Sequence, residues 1–134
     1  MELYKGGIIP LEQFAKMKKD NDILVRLILK KTPCKVVYSS MRNQRTDFPV
    51  LTCAVSQLDG RYRAVIGARP NRAVVIRDEK GLLSGGITAD SAAAFAAYVR
   101  ESVPTGRNLR GSAEYRAHLV KVLTERSLRE LGGV

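Results

Sequence analysis

Residues 50–68 read VLTCAVSQLDGRYRAVIGA, two runs rich in branched aliphatics joined by Asp59-Gly60. An Asp-Gly link of two residues suits a type I′ hairpin turn, whose central residues both need positive φ. The runs 50–58 and 61–68 are therefore expected to pair antiparallel. In the first, Val50, Thr52, Ala54, Ser56 and Leu58 share one face, and Leu51, Cys53, Val55 and Gln57 the other. Residues 35–40 supply a strand upstream. Residues 73–76 supply one downstream, ending at the charged turn Arg77-Asp78-Glu79-Lys80-Gly81. This is a meandering antiparallel sheet and not a βαβ arrangement. The aliphatic run 23–29 reads as a further strand, buried on both faces or paired centrally, and Thr32-Pro33 stops it.

Two helices follow. Thr88 is a candidate N-cap, with Asp90 well placed against the positive end of the helix dipole. At 100° per residue, Ala92, Phe95, Ala96, Tyr98, Val99 and Val103 fall on one arc, which should face the sheet. Ser112 caps the second helix, with Glu114 in its first turn and Gly132-Gly133 ending it. Tyr115, Leu119, Val122 and Leu123 share a face that Val120 and Leu131 widen. Leu128 falls outside that arc and is left for a second surface, within the domain or on a partner. The fold class expected is α+β, with the helices packed mainly on one face of the antiparallel sheet. Residues 1–22 are expected to form an N-terminal arm with a short helix at 11–17, begun by Pro10. Residues 23–134 are expected to form a single α+β domain.

The composition fits this. The 134 residues can bury one ordinary core, and a chain of this size buries about two thirds of the surface its unfolded form exposes. Apolar content of 45% with 27% charged residues is globular. Arg26 interrupts the longest apolar run near the N-terminus, so no membrane span is read. Residues 1–10 lack the basic and apolar regions of a signal peptide, and a cytoplasmic location is expected. Cys34 and Cys53, with a single histidine, give no zinc or iron-sulfur pattern. Both cysteines are read as reduced and buried. No metal site and no catalytic residue is assigned.

The net charge of +10 raises the question of nucleic acid. The basic residues are scattered, however, and the densest run, Lys16, Lys18 and Lys19, is followed by Asp20 and Asp22. No aromatic pair suited to stacking bases is seen. The basic surface is read as facing acidic protein partners or solvent. Gly81 to Gly86 lacks the Walker lysine and the dinucleotide spacing, and reads as a flexible connection.

Three stretches carry a resemblance. Arg110-Gly111-Ser112-Ala113-Glu114-Tyr115-Arg116-Ala117-His118-Leu119 resembles the R-G-S-x-x-Y-R-x-x-L run that opens the last helix of the FAD-binding (medium) subunit of molybdenum hydroxylases. This is the family of xanthine dehydrogenase and aerobic carbon monoxide dehydrogenase. Arg42 followed by Arg45 to Val50 resembles its R-x-x-x-x-D-x-x-x-V stretch. Ile66 to Pro70 with Arg72-Ala73 resembles its G-x-x-x-x-R-A turn.

The resemblance implies the C-terminal domain of an oxidoreductase flavoprotein, with the fold read above. In such enzymes electrons pass from a molybdenum cofactor through iron-sulfur clusters to FAD, and on to NAD or another acceptor. The domain would close one side of the flavin site and dock the subunit. Its implied partners are the FAD-binding N-terminal region, the iron-sulfur subunit and the molybdenum subunit. Alone it is expected to be inactive and to bind FAD weakly or not at all.

By position, Leu24 lies where the family packs an aliphatic residue on the flavin ring; plain core is the other reading. Ser39 stands where many members carry a lysine close to the flavin, so the cation is absent there. Asp47 matches an acidic residue before the third strand, and would either approach the cofactor or, the preferred reading, order its turn. Arg42, Arg69 and Arg72 could pair with carboxylates of a partner subunit or approach a phosphate, the preferred reading being solvated or intradomain; Tyr115 and Arg116 are read as fixing the last helix against the sheet. The alternative function is a non-enzymatic interaction module with the same fold and no flavin.

Overall fold

The computed structural model describes residues 1–18 and 21–134. Lys19 and Asp20, in the run of alternating charge, lie outside the described residues. The chain divides into two units, Met1–Pro33 and Cys34–Val134.

In the smaller unit, β1 (Glu2–Leu3) and β2 (Gly7–Ile8) form an antiparallel pair, α1 spans Leu11–Lys16 and β3 spans Leu24–Arg26. The strand order is β2-β1-β3. The N-terminal residues thus do more than trail as an arm. Asp22 holds the turn between β1 and β2, its carboxylate accepting from the amides of Lys5, Gly6 and Ile23 at 2.8 to 3.2 Å. These bonds, that of the Lys5 amide first, lower its pKa. The strand expected over 23–29, buried on both faces or paired centrally, takes neither form. The strand is three residues long, lies at a sheet edge and is exposed. Its partner β1 is only two residues long, which leaves the rest of the aliphatic run without a ladder to join.

The larger unit contains β4 (Lys35–Met41), β5 (Leu51–Leu58), β6 (Arg61–Gly67) and β7 (Val74–Arg77), an antiparallel meander in sequence order. The hairpin at its centre is as expected. Asp59 and Gly60 have φ of 49° and 73°, and Leu58 pairs with Arg61, Ala54 with Val65 and Thr52 with Gly67. Leu51, Cys53 and Val55 of β5, with Ala64 and Ile66 of β6, turn to one face and are wholly buried. On β4, Val36 and Tyr38 remain exposed.

Helix α2 (Ala89–Ser102) and helix α3 (Ala113–Gly132) cover the buried face. Thr88 and Ser91 form a reciprocal capping box on α2 and Ser112 caps α3, which satisfies amides that have no partner within the helix. Gly133, at φ 72°, closes α3. α3 lies against β4 and β5, and α2 lies against α3. The arc expected for α2 is the buried one, with Ala92, Phe95, Ala96 and Val99 inside.

The face expected for α3 is found in part: Leu119, Val120 and Leu123 are buried and Leu131 packs against the core, while Tyr115 and Val122 lie off the buried stripe. Its buried stripe is Arg116, Leu119, Val120, Leu123, Thr124, Ser127 and Leu128, at i, i+3, i+4 and i+7 spacing. Tyr115 is 43% exposed, and Leu128 is fully buried in the core and offers no second surface. Three of the stripe's members are polar, so a search for apolar residues alone displaces the arc toward Tyr115 and Val122. The connection 81–86 is also better anchored than a flexible link. Asp78 accepts from the amides of Leu82 and Leu83 at 2.8 and 2.7 Å, and Leu83 is fully buried. Cys53 is buried as expected, but Cys34, just ahead of β4, is exposed.

Candidate functional site

The three stretches singled out in the sequence meet at one end of the larger unit. β4 ends there and β5 begins; β6 ends there and β7 begins. The connections 42–50 and 68–73 therefore emerge side by side. The α2–α3 connection, 103–112, closes over them. Arg69, 8% exposed, ties two of the loops: its Nε donates to the Arg72 carbonyl at 2.9 Å and its Nη1 to the Pro104 carbonyl at 2.6 Å. The Gly106 amide returns a bond to the Arg69 carbonyl at 3.1 Å.

Arg116 ties all that lies beneath. With no solvent exposure, it donates from Nε to the Val50 carbonyl at 2.9 Å and from Nη1 to the carbonyls of Gly106 and Gly111 at 2.9 and 2.5 Å. Its Nη2 donates to Asn108 Oδ1 at 2.6 Å. Every acceptor is neutral. Burial, and secondarily the neighbouring Arg110 charge, lowers its pKa, while a guanidinium keeps its charge at any ordinary pH. The planar fork with its many donors explains why arginine occupies the place. Arg116 thus does fix the last helix against the sheet, as read from the sequence; the half-exposed Tyr115 does not share that burial.

The loop turn above Arg116 is built to hold its shape. Asn108 and Gly111 bond each other's backbone at 3.2 Å, and Asn108 Oδ1 also accepts from the Arg110 amide at 3.0 Å. Leu109 at the tip is fully exposed. Beside it the guanidinium of Arg110 lies 5.2 Å from the centre of the exposed Phe48 ring. A depression of about 460 Å³ is bordered by Phe48, Pro49, Ala68, Pro70, Asn71, Asn108 and Arg110. Sequence reading did not single out Asn108, Leu109 or Phe48. The Asn-x-x-Gly spacing was the available signal, since asparagine commonly orders a turn through its own side chain.

Among the residues expected at a site, Asp47 lies in the first of these loops. Its carboxylate accepts from the Gln44 amide at 3.1 Å and its carbonyl from Arg42 Nη1 at 2.5 Å, so it orders the turn. Ser39 lies mid-strand in β4, opposite Cys53. Its hydroxyl is 2.9 Å from that of Ser127 on α3, with Cys53 Sγ 3.6 Å from Thr124 Oγ1 alongside. These four side chains form a polar seam between sheet and helix. Leu24 belongs to the smaller unit, on β3, and is 45% exposed. Ser39 and Asp47 thus have their polar groups engaged within the larger unit, and Leu24 presents apolar surface.

At the opposite, hairpin end a cleft of about 680 Å³ runs between residues 58–63 and 77–84. No nucleophile and base meet there, and Asp78 is held by the amides of its own loop. Among the described residues no cluster of histidine, cysteine and carboxylates suits a metal, and no helix is long and apolar enough to cross a membrane.

Residues 36–131 match the model of the CO dehydrogenase flavoprotein C-terminal domain family. Among solved structures the chain is similar to quinoline 2-oxidoreductase from Pseudomonas putida 86, with TM-score 0.64 and 23% identity over 75% of this chain and 37% of that one. It is also similar to carbon monoxide dehydrogenase from Hydrogenophaga pseudoflava, in a form lacking the Mo-pyranopterin moiety of the molybdenum cofactor. There the TM-score is 0.60 and the identity 20%, over 72% and 36% of the two chains. At these identities the likeness is one of fold, and the chain spans just over a third of each structure's length. No curated protein matches.

Proposed function

The chain belongs to the CO dehydrogenase flavoprotein C-terminal domain family, and from that premise we propose that it serves as the C-terminal domain of the FAD-binding subunit of a molybdenum hydroxylase. The observation that carries the reading is the meeting of its three signature stretches at one loop end, within the span that matches the family. The proposed task is to close one side of the flavin site and to dock the subunit against its iron-sulfur and molybdenum partners.

FAD, when bound in such a subunit, accepts electrons delivered from molybdenum through the iron-sulfur clusters and passes them to an external acceptor. The part proposed for this chain is positional. Leu24 fits an apolar contact with the flavin ring, being aliphatic and nearly half exposed. Ser39 and Asp47 are proposed to act through the backbone they hold, since the Ser39 hydroxyl is bonded to Ser127 and the Asp47 carboxylate to the Gln44 amide. The position where many members carry a lysine is then without a cation.

Flavin retention tests this. Titration of the purified chain with FAD is expected to leave flavin fluorescence unchanged. Co-expression with the FAD-binding remainder of a molybdenum-hydroxylase flavin subunit is expected to give a yellow complex that survives gel filtration. A stoichiometric yellow complex of the chain alone would overturn this division of tasks. Failure of the two parts to associate would turn the reading to a flavin-free interaction module.

A further inference from the structure

We infer that the loop end around Leu109 and Phe48 is a docking surface for an acidic protein segment whose carboxylates alternate with apolar side chains. The inference rests on charge and shape at this end and stands apart from the flavin reading. In the connections 42–49, 68–73 and 103–112 every charged side chain except Asp47 is an arginine, and none is a lysine. Arg69 is spent inside. Arg42, Arg45, Arg72, Arg107 and Arg110 are exposed, and Arg42, Arg45, Arg72 and Arg110 have no carboxylate partner among the described residues. Asp47 is the single carboxylate in these connections, against five exposed arginines.

Within this field stands an apolar centre. Leu109 projects fully exposed from a turn that is bonded across itself and held from below by the buried Arg116. Phe48 stands 75% exposed beside the shallow depression. An apolar anchor on a pre-ordered turn loses little freedom on binding, and apolar centres with arginine around them are the usual composition of protein interfaces. Arginine forks match carboxylates with two parallel bonds. Nucleic acid would satisfy the charge but not the centre. Leu109 has no counterpart on a phosphate backbone, and Arg110 already lies over one face of the Phe48 ring.

The test uses the whole chain and a fluorescein-labelled peptide of alternating glutamate and leucine, read by fluorescence anisotropy. Leu109→Ser and Arg110→Glu are each expected to weaken binding about tenfold or more, as the loss of an anchor does. Lys121→Glu makes the same charge change on the exposed side of α3 and is expected to leave binding nearly unaltered. All three residues are exposed, and circular dichroism checks that each variant folds. Equal losses in Arg110→Glu and Lys121→Glu would overturn the inference, as diffuse charge would then suffice. So would tighter binding to a labelled oligothymidylate, or to phosphatidylserine vesicles, than to the peptide.

Discussion

Arg116 and Val50, 66 positions apart, are joined by a 2.9 Å bond from guanidinium Nε to carbonyl oxygen in a place without solvent. Val50 is the residue before β5, and its amide bonds back to the Met41 carbonyl at 2.7 Å at the end of β4. One side chain on the first turn of α3 therefore fixes where two strands end and where the α2–α3 loop crosses them. The charge has no carboxylate beside it. Its desolvation is offset only by carbonyl and amide oxygens, which makes the fork geometry decisive.

Arg116→Lys is accordingly expected to be no conservative change. A lysine ammonium keeps the charge but cannot reach four acceptors set around a plane, and a buried charge short of partners costs about 3 kcal/mol or more. Urea denaturation should show this loss. Hydrogen exchange should show faster opening of the amides of Gly106 and Gly111. A variant within about 0.5 kcal/mol of the parent, the ordinary range of a surface change, would mean that the loops are held by something else.

Leu128→Ala is expected to destabilise by about 2 to 5 kcal/mol, the range for emptying a fully buried leucine site. Val122→Ala, on the half-buried flank of the same helix, should cost clearly less. Thermal or chemical unfolding of the two variants decides between the buried stripe and the arc read from apolar residues, which included Val122 and left Leu128 out.

That contrast marks what the sequence could tell. The hairpin at Asp59-Gly60, the caps Thr88 and Ser112 and the buried arc of α2 follow from local rules, and each is found where local rules put it. The register of α3 follows from a distant event. Arg116, Thr124 and Ser127 are accommodated inside by partners elsewhere, Val50 and the loop 106–111 for Arg116, Cys53 for Thr124 and Ser39 for Ser127, and such partners leave no trace in periodicity. The run 23–29 fails for a related reason. Its aliphatic content predicts burial, but burial needs a neighbouring strand, and two-residue β1 provides very little of one. At the site, Asp47 was legible as a turn residue. The Asn-x-x-Gly spacing marks a turn at Leu109, but the Arg116 side chain that holds that turn from beneath is not visible in it.

Gly67→Ala tests the sheet's closest approach. A Cβ there would lie 2.6 Å from Thr52 Oγ1, its cross-strand partner, and overpacking of this kind costs about 1 to 3 kcal/mol. Thr52→Ala removes the obstructing oxygen. The double variant is expected to recover most of the loss, and a thermodynamic cycle over the four proteins measures the coupling. If the two changes simply add, the glycine is there for another reason.

Cys53 should make the domain sensitive to alkali in a way that can be isolated. Burial is the main cause of its raised thiol pKa, and the hydrogen bonds with Thr124 and Ser127 only partly oppose it. Below the ordinary thiol value of 9.0 both folded and unfolded chains hold the proton, so the group adds no pH dependence. Above that value the unfolded chain releases the proton while the folded chain keeps it. Stability therefore falls as pH rises toward the folded pKa, by at most about 1.4 kcal/mol per pH unit for one proton. In a Cys34→Ser background, the stability difference between the parent and Cys53→Ala is expected to be flat up to about pH 8.5, the free-thiol range. It should then shrink at higher pH, whatever constant offset the lost packing introduces. A thiol reagent gives the companion result. Exposed Cys34 should react at once, and Cys53 only as fast as the domain opens, so that urea accelerates the second reaction alone. A difference that stays constant through the alkaline range, together with rapid labelling of both thiols, would mean that water reaches the seam between β5 and α3.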